Sequence, residues 1–134
     1  MKKTTREWLY KADEDWRAAE KLAAGKDRLH DLVVFHCQQF VEKILKAVLE
    51  ELGRVIPKTH DLEILLDLIL PDVAKLATHR TRLRKLSEFA VTTRYPGVRA
   101  SKRDATTSIR WATTINTICR PILTKRAPRH RKSP

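Results

Sequence analysis

A helix with histidine, glutamine and lysine on one flank can hold a ligand by charge and by hydrogen bonds, and residues 35–52 have that composition. Apolar residues at 35, 41, 44, 45, 48, 49 and 52 recur at helical spacing, and Gly53 and Pro57 stop the run. With roughly 3.6 residues per turn, His36, Gln39, Lys43 and Lys46 share a flank. Two lysines a turn apart can receive a phosphate as point charges, and an amide can read a base or a sugar hydroxyl. The structural alternative has Lys46 pairing with Glu50 at i, i+4, Lys43 pairing near Glu42, and Gln38 and Gln39 satisfying buried backbone or dimer contacts.

Two further groups carry polar chemistry. Lys58-Thr59-His60-Asp61 reads as a helix entry, where free backbone N–H groups and a partial positive charge favour an anion. The plainer reading is that Thr59 and Asp61 cap the helix while His60 packs on its neighbour. Arg94-Tyr95-Pro96 follows a helix end beside a basic face of Arg80, Arg82, Arg84 and Lys85, so Arg94 can reach either the last carbonyls or a phosphate. Asp15 sits at the edge of an apolar stripe and needs a partner, either a ligand contact or a basic residue of the next helix. No metal site is expected, because the separations of His30, His36, His60 and Asp61 give no support for one. Gly25, Gly53 and Gly97 lie too far apart for a glycine-rich phosphate loop, and no nucleophile–histidine pattern is legible.

These residues are positioned by helices alone. A first helix is expected from about 5 to 24, opened by a Thr4/Glu7 capping box and closed by Gly25, and a second from about 31 to 52. The second is apolar over a wide arc, as a central helix would be. A short third helix starts at Thr59 or Asp61 and buries Leu62, Leu65, Leu66 and Ile69. A fourth, from about 72 to 93, buries Val73, Leu76, Ala77, Leu83, Leu86 and Ala90 before Tyr95-Pro96-Gly97 breaks it. Ser101 and Asp104 cap a fifth, which Pro121 should kink or end. The expectation is an all-α, up-and-down antiparallel bundle of four main helices plus one short one, spanning 1–125, with a basic disordered tail at 126–134.

At 134 residues the chain is long enough for one good core. Its net charge of +12 is unevenly placed: residues 75–134 carry 16 Lys/Arg against 2 Asp/Glu, which suits an acidic or phosphate-bearing partner. RNA is possible, although Phe89, Tyr95 and Trp111 are few aromatics for stacking. The charged N-terminus lacks a secretory signal and no apolar run could span a bilayer, so a cytoplasmic protein with no membrane contact is expected. Cys37 and Cys119 fall on apolar helical stretches, as reduced thiols packed as small hydrophobes do.

The ordered set Phe35-His36-x-Gln38-Gln39-x-x-Glu42-Lys43-x-x-Lys46-Ala47, then Lys58-Thr59-His60-Asp61-Leu62, then Arg94-Tyr95-Pro96, resembles the HEPN domain, the helical nucleotide-binding domain of higher eukaryotes and prokaryotes. The resemblance extends back to Trp8, Ala12 and Asp15. It implies a homodimer of helical bundles that binds a nucleotide, or works with a separately encoded minimal nucleotidyltransferase in a toxin–antitoxin-like pair, with no cofactor. On that reading the binding residues are His36, Gln39, Lys43, Lys46, His60, Arg94 and Tyr95. Many HEPN domains resemble ribonuclease toxins in which an arginine and a following histidine, with four to six residues between them and set late in the bundle, act on RNA. Here only Arg54 and His60 have the interval, and they lie early, around Pro57; His79 has no such arginine, and His130 follows Arg126 and Arg129 too closely. The chain therefore reads as a branch without the late ribonuclease motif. A metal-independent ribonuclease using Arg54 and His60, or a non-catalytic RNA-binding dimer, is the alternative.

Overall fold

The computed structural model describes residues 1–132, with side chains through Thr124. Five α-helices, α1 (Lys3–Ala24), α2 (His30–Glu51), α3 (Leu62–Ile69), α4 (Arg80–Thr92) and α5 (Lys102–Lys132), are joined by short loops and one 3-10 turn, Ala74–His79. No strand occurs among the described residues, and no helix among them is long and apolar enough to cross a membrane.

The five-residue connection after Ala24 turns the chain back on itself. Thr5 then meets Glu51, and Asp15 meets His36 and Lys43, so α1 and α2 run antiparallel. Helix α2 is the axis of the bundle and packs against α1, α3, α4 and α5. Its Phe40, Ile44, Leu45 and Leu49 are buried among Leu65 and Leu66 of α3, Leu83 and Leu86 of α4, and Ile115 and Cys119 of α5. A helix apolar on so many sides must be surrounded, which is why a wide arc in the sequence marks the centre.

Three helix ends follow local chemistry, whereas α1, α2 and α4 start without a side-chain cap. Helix α2 closes on Gly53, whose φ of 73° lets the N–H groups of Gly53 and Arg54 reach the carbonyls of Glu50 and Leu49. Asp61 caps α3 by accepting from the Glu63 N–H at 2.9 Å. Ser101 and Asp104 form the expected reciprocal capping box on α5. The Thr4/Glu7 box does not form. Helix α1 starts at Lys3 with no side-chain cap, and the buried Thr5 hydroxyl instead donates to Glu51 at 3.0 Å. Burial would raise the Glu51 pKa, but bonds from the Lys2 N–H and Thr5 hydroxyl, with the positive N-terminus nearby, bring it below its ordinary value.

Two other expectations are corrected. The fourth helix is divided: Ala74–His79 is a 3-10 segment, whose tighter period keeps Val73 and Leu76 buried but turns Ala77 out to solvent. Of the two outcomes expected at Pro121, a kink or an end, the end does not occur: α5 continues to Lys132. The exposed proline ring lies between Cys119 and Leu123, both buried, and this packing holds the helix across the missing N–H. The side chains of the expected basic tail, 126–134, lie outside the described residues.

Candidate functional site

Two buried carboxylates organise the polar face of α2. Asp15 of α1 takes Lys43 Nζ at 2.5 Å on one oxygen and His36 Nδ1 at 2.9 Å on the other. Glu42, its side chain 4% exposed, takes Lys46 Nζ on Oε2 and His60 Nδ1 on Oε1, each at 2.9 Å. Lys46 also lies over the Trp8 ring, 5.6 Å from its centroid. The sequence flank is therefore divided by tertiary contacts: Lys43 and His36 turn toward α1, and Lys46 is buried against Glu42 rather than paired with Glu50.

His60 differs from these residues. Its side chain is 82% exposed, yet its ring is held by a carboxylate that is nearly dry. A carboxylate only accepts, so Nδ1 carries the hydrogen and Nε2 is left for an outside group. Gln38 fixes the same loop by donating to the His60 backbone carbonyl at 2.8 Å, with a longer contact to Glu42 at 3.4 Å, and the Gln39 side chain donates to Gln38 Oε1 at 2.8 Å. From the other side, Ser87 of α4 accepts from the Leu62 N–H at 3.0 Å and ties the start of α3 to α4.

Between α2, the entry to α3, and α4 lies a cleft of about 490 Å³. It is lined by Gln38, Gln39, His60, Arg84 and Ser87, with Arg94 at its edge. Arg84 is engaged, making paired bonds of 2.9 and 2.8 Å to Glu63, which Arg80 also contacts at 2.9 Å. The Arg84 and Arg80 bonds hold the Glu63 carboxyl down at about 2. Arg94 forms no ion pair among the described residues and stacks over Phe35, 5.2 Å from the ring centroid.

Of the seven residues singled out from the sequence, the cleft thus collects Gln39, His60 and Arg94. His36, Lys43 and Lys46 belong to the carboxylate network, and Tyr95 is 63% exposed beyond the end of α4, outside the cleft lining. Arg54 bonds to Asp72 and is likewise outside the lining that holds His60. From α4 the sequence singled out only the basic face that includes Arg84, and Ser87, Glu88 and Val91 were missed. Arg84, Ser87, Glu88 and Val91 stand at intervals of three and four, one helix face leading toward Arg94, a signal present in the sequence.

A family model for the HEPN domain matches residues 5–122. The chain belongs to the HEPN domain family. The match runs from the first turn of α1 to Ile122 of α5, so the whole bundle around the cleft is HEPN domain. Neither a curated protein nor a solved structure matches this HEPN chain. Among the described residues, no group of three or more His, Cys, Asp or Glu side chains could hold a metal ion. Cys37 and Cys119 are free thiols pushed up to about 12, Cys37 by burial alone and Cys119 by burial that outweighs Arg120.

Proposed function

We propose that this HEPN bundle is a nucleotide-binding module whose ligand sits in the cleft between α2, the α3 entry and α4. The supporting observation is that Gln39, His60 and Arg94, from three separate stretches of sequence, line one cleft of about 490 Å³, a size suited to a small ligand. Arg94 is the phosphate contact, since its guanidinium has no carboxylate to satisfy and presents a fork of donors. The Gln39 amide and the free Nε2 of His60 orient the base or sugar. Lys43 and Lys46 act one step back: they hold Asp15 and Glu42, and Glu42 holds His60.

The family resemblance adds a homodimer and a separately encoded minimal nucleotidyltransferase as partner in a toxin–antitoxin-like pair. The ribonuclease alternative draws on Arg54 and His60 and has less support, because Arg54 is engaged by Asp72 away from the cleft. An RNA-binding dimer would use the basic face of α4, where Arg80 and Arg84 are already paired with Glu63 and Asp67.

The test is a thermal-shift series with ATP, GTP, other nucleotides and inorganic phosphate, run beside Arg94→Ala. A ligand present at 100 times its Kd stabilises by about 2.7 kcal/mol. One nucleotide should raise Tm in a concentration-dependent way, and the shift should fall in Arg94→Ala. Absence of a shift with every nucleotide would remove the reading.

A further inference from the structure

The binding cleft does not end at Arg94. On the far side of that residue a second cleft, of about 610 Å³, opens between the N-terminal half of α2, the end of α4 and the loop before α5. The two share Ala90 and Arg94 as a common wall. Arg94 lies on Phe35, a residue of the second cleft, so its guanidinium stands at the junction.

The two clefts differ in charge and in floor. The first is lined by Asp61, Glu63 and Glu88 against Arg84 and Arg94, an excess of one carboxylate. Such a lining suits the uncharged part of a nucleotide and leaves its phosphate at the Arg94 end. The second is lined by Arg28, Arg94 and Arg99 against Asp31, an excess of two positive charges. Asp31 is already engaged, accepting from the Ala100 N–H at 2.6 Å, and neither Arg28 nor Arg99 forms an ion pair among the described residues. His30 adds a further ring at the rim. The floor is apolar: Leu29 and Leu32 are 41% and 44% exposed, next to Phe35. A chain of phosphates needs no such floor, whereas a base does, by stacking and apolar contact.

Resting on the nucleotide reading above, the geometry points to a ligand of two nucleotides joined through phosphate: one nucleoside in the first cleft, the linking phosphate on Arg94, and the second base on Leu29, Leu32 and Phe35, with Arg28 and Arg99 at its phosphate. The same chemistry occurs in a free dinucleotide and in two consecutive residues of a single strand. A strand would continue past Arg28 and His30, which also line a third cleft with Lys26 and Lys102.

The experiment is calorimetric titration of the full chain with AMP, ATP, the phosphodiester dinucleotide pApA and octaadenylate, repeated on Arg28→Ala/Arg99→Ala. Both arginines are exposed, so the variant should fold, and its Tm confirms that. The expected result is pApA binding about tenfold or more tighter than AMP, and tighter than ATP, with the advantage over AMP collapsing in the variant while AMP binding is unchanged. Octaadenylate binding more tightly than pApA would make the source a strand, and equal binding would make it a free dinucleotide; each outcome supports two joined nucleotides. If pApA binds no better than AMP, the second cleft takes no part and the proposal fails while the nucleotide site stands. If ATP binds tighter than pApA, the second cleft is a polyphosphate arm and the second base is wrong. If no nucleotide binds, both readings fall together.

Discussion

Replacing Glu42 by glutamine tests whether the site is built on a buried charge. The Glu42 side chain is 4% exposed and receives Lys46 and His60 at 2.9 Å and Gln38 at 3.4 Å, while Lys46 itself is 8% exposed. Glu42→Gln keeps the shape and removes the charge, which leaves a buried ammonium with no counter-ion. Breaking a buried pair in this way typically costs about 3–5 kcal/mol, and the Trp8 face under Lys46 returns some of it, so the expected loss is about 3 kcal/mol. With a urea slope of about 2 kcal/mol per molar, the unfolding midpoint should drop by about 1.5 M. Lys46→Met should cost less, about 2 kcal/mol, because His60 and Gln38 still bond the carboxylate. The double variant Glu42→Gln/Lys46→Met holds no buried charge and should lose only about 1 kcal/mol, far below the sum of the single losses. Urea unfolding followed by circular dichroism measures all three. A Glu42→Gln loss below about 0.5 kcal/mol, or a double variant equal to the sum, would refute the reasoning, since the charge would then be solvated or the pair uncoupled.

Other expectations follow from single features. Glu63 has its carboxyl lowered from 4.5 to about 2 by Arg84 and Arg80, so its contribution to stability is complete above about 4.5 and vanishes as pH falls through about 2. The stability difference between the native chain and Glu63→Gln should accordingly shrink from pH 6 to pH 2, and a difference that grows on acidification would reverse the sign. Thiols pushed up to about 12 are ionised at pH 8 to only about one part in ten thousand, so Cys37 and Cys119 should label slowly with Ellman's reagent until urea unfolds the chain. Fast labelling of the folded protein would contradict their burial. Gly53→Ala should cost about 1–2 kcal/mol because φ is 73° there, although the nearest atom to the added methyl is Lys2 Nζ at 3.7 Å. Gly25→Ala, at φ −73° with ordinary contacts, should be neutral or stabilising by about 0.5 kcal/mol; equal losses at the two sites would show that space rather than backbone conformation decides.

The sequence by itself determined what depends on local spacing. The apolar period from 35 to 52 made α2 the central helix, Gly53 marked its end, Thr59 or Asp61 the start of α3, and Ser101 with Asp104 opened α5, because helix period and caps act within a few residues. The ordered motifs also carried the family. Local signals misplaced other features. Thr4 and Glu7 have capping-box spacing, but Thr5 gains a buried bond to Glu51, 46 residues away, and α1 starts earlier. Pro121 has the local chemistry of a helix end, but Cys119 and Leu123 are packed on either side of it. The polar flank of α2 shows the division most clearly. Spacing places His36, Gln39, Lys43 and Lys46 on one side of a helix, yet it cannot tell a ligand contact from a buried ion pair. Asp15 on α1 and the loop carrying His60 decided that, because a lysine beside a dry carboxylate is held by it, whereas Arg94 forms no ion pair among the described residues and lines the cleft. Only the packing of α1, α3 and α4 around α2 separates the residues that build the site from those left to meet a ligand.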